Sequence, residues 1–347
     1  MNDDWKEFLR QQGANYGAAG VEDFGDPHAE RRAAREGDVL VDLSHLSLIR
    51  AVGADAKSFL NGQLTNDINL LDDAHTQLSA WCSAKGRMLA LFRVVRRNDG
   101  YLLELPAALR DDVLKRLRMY VLRANVKLEV ADDALMRVGI AGPNASMKVS
   151  AVTGLTPAAG DNTCARAGEL VVMRLPGFHP RFEILAPAVE ARAIWGRLIS
   201  GSTPAGAGAW TWHDIMAGIP VVLPPTSDAF VPQMANLDLL GGVSFSKGCY
   251  TGQEIVARVH YLGRLKQRMY RLHADAPSAP APGTAIYAPE RRDQATGNVV
   301  VACASPSGGC DLLAVIHTSS AEAGELHLGE SNGPRLTIES LPYPVSG

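Results

Sequence analysis

Lys247-Gly248-Cys249-Tyr250-Thr251-Gly252-Gln253-Glu254 sets a cysteine beside a glycine, two positions after a lysine and shortly before the apolar run Ile255-Val256-Ala257. Thr251 and Glu254 have the spacing of a capping box, a hydroxyl followed three residues later by a carboxylate, so the pattern predicts a helix starting here. Cys249 would stand just ahead of that helix, where unpaired N–H groups and the macrodipole favour negative charge. Lys247 would add to the field, and both effects raise the thiolate fraction of a cysteine. Gly248 leaves room beside the sulfur for another molecule. The same residues also describe a capped turn around an inert, buried thiol, the usual state of a free cysteine. Local features leave both readings open.

Around this stretch the chain has the composition of an ordinary globular protein. Its 347 residues are enough for two or three domains, with 46% hydrophobic and 20% charged residues and a net charge of −3. That balance excludes a globally basic nucleic-acid binder and leaves room for local basic patches. The start, Met1-Asn2-Asp3-Asp4-Trp5-Lys6, is polar, with no apolar signal core behind it. No run of about 18 apolar residues occurs, so no membrane partner and a cytoplasmic location are expected. Five scattered cysteines (Cys82, Cys164, Cys249, Cys303 and Cys310) form no C-x-x-C, which points to a reducing compartment. His45, His213 and His260 lack ligand spacing, and no metal site is expected.

Residues 1–36 read as a helical segment with Gly and Pro breaks. Strand patterns follow at Val39–Leu43, Leu48–Val52, Gln77–Cys82, Met88–Val95 and Tyr101–Leu105, with a helix from Asp55 that buries Phe59 and Leu60. Leu109, Val113, Leu117, Tyr120 and Val121 recur at helical spacing between Ala107 and Arg123. A weak repeat links Gly53-Ala54-Asp55-Ala56 to Gly142-Pro143-Asn144-Ala145, each with a glycine ending a strand and an Asx residue before a helix. The second copy closes with a helix near Val189–Ile199. Beyond Gly263, short β-type runs broken by Pro, Gly and Ser predict a small β-barrel or sandwich over 264–345. Cys303 and Cys310 flank one hairpin turn there, and packing is their expected role.

Phe230-Val231-Pro232-Gln233, Asn236-Leu237-Asp238, Gly241-Gly242-Val243-Ser244-Phe245 and Lys247 to Glu254 together resemble the signature of the YgfZ family, folate-binding relatives of the glycine-cleavage aminomethyltransferase. Gly53 to Ala56, Phe59-Leu60, Gly62 to Asp67 and Ala217-Gly218-Ile219-Pro220 are similar to further blocks of that family, and the likeness covers about residues 37–345. It implies an α+β, three-domain aminomethyltransferase-like cloverleaf: two related, interleaved α+β domains over 37–263 and a C-terminal β-barrel over 264–345. It also implies a bound tetrahydrofolate or derivative and a role supporting iron–sulfur enzymes, including those that methylthiolate tRNA. Partners would be reduced folate, iron–sulfur assembly proteins or client enzymes, and a weak tRNA contact. Cys249 matches the motif cysteine and would be the functional thiol, with Lys247 beside it; Asn66, Asp67, Trp81, Asp214, Tyr250, Gln253 and Glu254 are the candidate folate-binding residues.

Two departures from the resemblance matter. Aminomethyltransferases carry an acidic pair after a Gly-Gly turn, and here the matching positions are Leu89 and Ala90. Neither moves a proton nor holds a charge. This argues against glycine-cleavage chemistry and leaves a folate-dependent one-carbon transferase as the alternative enzyme. Relatives often place a glutamate before Ala-Gly-Ile-Pro, where this chain has Met216. A thioether is a poor acceptor, so folate recognition would need Asp214 or another carboxylate. Arg258, Arg264, Lys266, Arg268 and Arg271 form a basic strip, and Lys115, Arg116, Arg118 and Arg123 a second group; a solvated face is the simpler reading of each.

Overall fold

Both copies of the repeat fold as strand, glycine, helix, three strands, helix, strand. The computed structural model describes residues 2–345 except Leu262, Arg264 and Asp293, so Arg264 of the basic strip lies outside the described residues. The chain divides into two compact units, one of Met1–Phe59, Leu70–Gln77 and Arg93–His213, the other of Leu60–Asn69, Leu78–Phe92 and Asp214–Gly347.

The N-terminal segment contains α1 (Asp3–Gln11), a hairpin of β1 (Asn15–Gly17) and β2 (Gly20–Asp23), and α2 (Pro27–Glu36), so two short strands interrupt the expected helical stretch. Strand β3 (Val39–Asp42) follows. The first repeat is β4 (Leu46–Val52), α3 (Ala56–Gln63), β5 (Thr76–Cys82), β6 (Met88–Arg97), β7 (Gly100–Pro106), α4 (Ala107–Val121) and β8 (Lys127–Val130). The second is β9 (Met136–Ala141), α5 (Ala145–Thr153), β10 (Thr163–Ala167), β11 (Leu170–Leu175), β12 (Arg181–Ala186), α6 (Ala188–Leu198) and β13 (Thr203–Ala205). Their sheets run β5-β6-β7-β4-β8 and β10-β11-β12-β9-β3-β13, one strand order with β3 inserted in the second.

The two repeat glycines are required for the same reason. Gly53 and Gly142 have φ of +120° and +147°, and a β-carbon on either would stand 2.2 Å from an oxygen, that of the Asn125 backbone or the Asp38 side chain. The Asx residues after them do not cap as expected. Asp55 accepts from the Asn125 N–H at 2.7 Å, while the Asn144 N–H donates to Asp38 at 2.9 Å. Trp5 of α1 is buried, donates its indole N–H to Asp42 at 2.8 Å and meets Trp195 edge-on at 5.9 Å. With Leu40, Ile140, Phe182 and Ile184 these rings form the core of the first unit.

After α7 (Ala207–Met216), α8 (Gln253–Tyr261) of the second unit precedes a closed six-stranded barrel. Its strands are β14 (Gln267–Ala274), β15 (Ala285–Tyr287), β16 (Gly297–Ala304), β17 (Cys310–His317), β18 (Leu326–Leu328) and β19 (Arg335–Glu339), with α9 (Thr318–Ala323) between β17 and β18. Closure runs β14-β17-β16-β15-β18-β19 around Leu272, Ile286, Val299, Leu312, Ile316 and Leu336. Across the β16–β17 hairpin Cys303 faces Asp311 and Cys310 faces Ala304, so the cysteines are out of register; both are buried and neither is in a disulfide.

Candidate functional site

The chain from Gly241 to Gly252 is a loop that ends at α8 and carries Cys249 in the open. A β-carbon on Gly248 would meet nothing within 4 Å, so the space beside the thiol is free. Cys249 is the one exposed cysteine among the described residues. The cap differs from expectation: α8 begins at Gln253, and the residue before it is Gly252, with φ +81°. The Gln253 N–H closes a turn on the Tyr250 carbonyl at 3.1 Å. Thr251 therefore lies one position too early to be the N-cap.

Lys247 holds this loop. Its ammonium donates to the carbonyls of Asn61, Leu64 and Asn66 at 2.6, 2.7 and 2.9 Å, and it sits 5.3 Å from the centre of the Tyr250 ring. Three donors meet three acceptors, so no N–H is left for the sulfur of Cys249. Burial pushes the amine down to about 8, against the pull of Asp67. Sequence reasoning placed Lys247 beside the thiol as an electrostatic helper; its hydrogen bonds make it a clamp on the end of α3 and the loop that follows.

The remaining candidates gather in the same unit. Asn66 donates to the carbonyls of Leu78 and Gly241 and accepts from the Asp67 N–H, and Asp67 accepts from the Asn69 N–H. Each polar group of Asn66 thus has a structural partner. Trp81 is 1% exposed, inside β5, and pairs with Leu64 in an isolated bridge. Tyr250 is also buried, its phenol pushed up by burial and then by neighbouring Cys82, whose own thiol burial pushes up to about 12. Asp214 is half-buried at the end of α7, and Glu254 is exposed in the first turn of α8.

Other signature residues tie this loop region to the barrel. Gln233 donates to the Val256 carbonyl of α8 at 2.7 Å. Asn236, in the left-handed region at φ 57°, donates to the Met269 carbonyl and accepts from its N–H. Arg268 forms a two-point pair with Asp238 at 2.7 and 3.1 Å. Arg271 donates to the Met216 sulfur at 2.8 Å and lies 3.7 Å from Glu339. Arg268 and Arg271 are thus internally engaged and do not belong to a free basic strip. Met216 faces a guanidinium.

Leu89 and Ala90 are buried in β6, so the positions that match the acidic pair hold no ionisable group. In the other unit lies a carboxyl that sequence reasoning missed. Glu183 on β12 is wholly buried, and neither oxygen meets a hydrogen-bond donor among the described residues. Burial first, and then Glu104, raise it well above the carboxylate range, while Arg93 and Arg137 pull the other way. The signal was available: a glutamate inside the apolar strand Arg181-Phe182-Glu183-Ile184-Leu185 is costly unless something uses it.

Residues 13–240 match the GCVT N-terminal domain family. Over 310 residues the chain is 32% identical to the tRNA-modifying protein YgfZ of Yersinia enterocolitica, covering 88% of this chain and 93% of that protein. The chain belongs to the YgfZ family. The same protein of Klebsiella pneumoniae is 31% identical over 320 residues, or 92% and 97% of the two chains. Among solved structures, aminomethyltransferase T of the glycine cleavage system from Bartonella henselae superposes with a TM-score of 0.79 over 97% of this chain and 96% of that one. At 19% identity this shows the shared fold, and the YgfZ-family chain therefore has the aminomethyltransferase architecture.

Proposed function

We propose that this YgfZ-family chain is a folate-binding accessory protein linked to tRNA modification, which supports assembly or repair of iron–sulfur enzymes through the Cys249 thiol. The observation that carries this reading is a single exposed thiol, with open space beside it, on a loop held by the buried Lys247 clamp. An inert core cysteine needs none of that. The relatives' designation as tRNA-modifying proteins supplies the process.

Folate fits the residues present on one point of chemistry. A pterin offers an amino group and a ring N–H side by side, the donor pair that a carboxylate accepts. Glu183 is a buried carboxyl that meets no hydrogen-bond donor among the described residues, and it would accept that pair. When bound, reduced folate supplies one-carbon and redox chemistry; the chain supplies recognition and the thiol.

The alternative is a folate-dependent one-carbon transferase. Leu89 and Ala90 speak against it, since no acid or base stands where the aminomethyltransferases need one. The deciding experiment uses Cys249→Ala in a strain lacking its own family member. The variant should fold and bind tetrahydrofolate like wild type, yet fail to restore methylthiolated tRNA. Full restoration would overturn the thiol reading, and turnover of tetrahydrofolate with a methylated amine donor would favour the transferase.

A further inference from the structure

The end of α4 presents an apolar tip that neither the thiol nor the folate chemistry uses. Lys115, Arg118 and Met119 recur at three- and four-residue spacing, which places them on one face of α4, and Leu122 follows just past its end; all four are exposed. Leu122 is 88% and Met119 62% exposed, with Tyr120 (45%) next to them. The apolar periodicity predicts a helix through Arg123, but the helix stops at Val121. The Ala124 N–H then donates to the Val121 carbonyl at 2.8 Å, and Leu122 adopts φ 47°, ψ −105°. That is the first central position of a tight turn that glycine normally fills, since a side chain strains the backbone there. A leucine kept there with its side chain in water is disfavoured twice over.

The charges around the tip have one sign in excess. Arg116 pairs with Asp112 and Lys127 with Glu129, while Arg118 donates twice to the Leu128 carbonyl. Lys115 and Arg123 have no ion pair or hydrogen bond among the described residues. The helix dipole accounts for cations late in α4 but not for exposed aliphatic side chains. RNA phosphates would attract the cations and gain nothing from Leu122 or Met119. A surface that offers negative charge and hydrocarbon at the same depth is the interface of an anionic bilayer.

We propose that the tip of α4, with Leu122 at its point and Lys115 and Arg123 on its flanks, docks reversibly on an anionic lipid surface. Such a contact lies on the bilayer rather than crossing it; no described helix is long and apolar enough to cross a membrane. It stands independently of the role proposed for Cys249.

Sedimentation of the full chain with vesicles of phosphatidylglycerol and phosphatidylcholine in equal parts, and with phosphatidylcholine alone, tests it. Wild type should bind the first and not the second, and added salt should weaken binding. Leu122→Gly removes the strained side chain and should fold at least as stably, yet bind about tenfold less. Lys115→Glu combined with Arg123→Glu should cost at least about tenfold. Failure of wild type to bind anionic vesicles, or unchanged binding by Leu122→Gly, would overturn the proposal. Binding of tRNA that the charge variant loses, without vesicle binding by wild type, would assign the surface to RNA and overturn it equally.

Discussion

Gly86 and Gly252 touch: a β-carbon on Gly252 would stand 2.8 Å from the Gly86 α-carbon and 2.4 Å from the Ser83 carbonyl oxygen. The reverse also holds, since a β-carbon on Gly86 would meet the Ile255 side chain at 2.8 Å. Both glycines have positive φ, +70° and +81°. The β5–β6 turn and the start of α8 are thus packed backbone against backbone. This places the segment that carries an acidic pair in aminomethyltransferases directly against the cysteine motif.

Gly252→Ala combines a disfavoured φ with a backbone clash, and neither neighbour is a flexible side chain. The expected loss is about 2–4 kcal/mol of stability, read as a shift in the urea midpoint. Gly248→Ala is the control. Nothing lies within 4 Å of its β-carbon, so a change beyond about 0.5 kcal/mol would contradict the open space beside the thiol.

Lys247→Met should leave three carbonyls, that of Leu64 buried and those of Asn61 and Asn66 part-buried, short of a donor and cost about 2–4 kcal/mol. The pH dependence carries a sign. The folded-state amine is depressed to about 8, below its ordinary 10.5, so between those values the unfolded chain holds the extra proton. The contribution of Lys247 is therefore greatest above 10.5 and falls as pH drops through about 8. Denaturant titrations from pH 7 to 10.5 should show the gap between wild type and Lys247→Met widening as pH rises; a constant gap would contradict a buried, depressed amine.

The repeat, the barrel and the motif loop were all legible because each depends on local pattern. Gly53 and Gly142 mark the strand–helix corners, and Pro, Gly and Ser separate strands long enough to show alternation. Strand β18 has only Leu326–Leu328, too short for any period to register. The cap shifted by a residue because the contact with Gly86, remote in sequence, decides where α8 can begin. Lys247 was read through its neighbour Cys249 for the same reason: its true partners, Asn61, Leu64 and Asn66, lie more than 180 positions away.

Met216→Glu looks like a restoration of the relatives' glutamate. Arg271 already donates to this position, so the new carboxylate should pair with that guanidinium and not with a ligand. Stability should rise by less than about 1 kcal/mol, the usual yield of a partly exposed pair. Tetrahydrofolate affinity, followed by intrinsic tryptophan fluorescence, should stay within about threefold of wild type. A large gain in affinity would mean that position 216 addresses the ligand after all.

Glu183 makes the opposite prediction for folate. Its folded-state carboxyl titrates well above the ordinary range because it is buried and faces Glu104. With a raised folded value, its contribution is fully present below the unfolded value and is lost as pH rises through the folded one. Glu183→Gln keeps the shape and removes the titration, so the variant should gain on wild type in stability as pH rises from the unfolded value towards the raised folded one. Only the ionised carboxylate accepts two ligand N–H groups at once, so the ligand would draw Glu183 into that form, which Gln, with an N–H donor in place of one oxygen, cannot reach. Tetrahydrofolate binding should fall at least about tenfold. Unchanged affinity together with the expected stability gain would confine Glu183 to the core; unchanged affinity and unchanged pH dependence would contradict the raised, buried carboxyl itself.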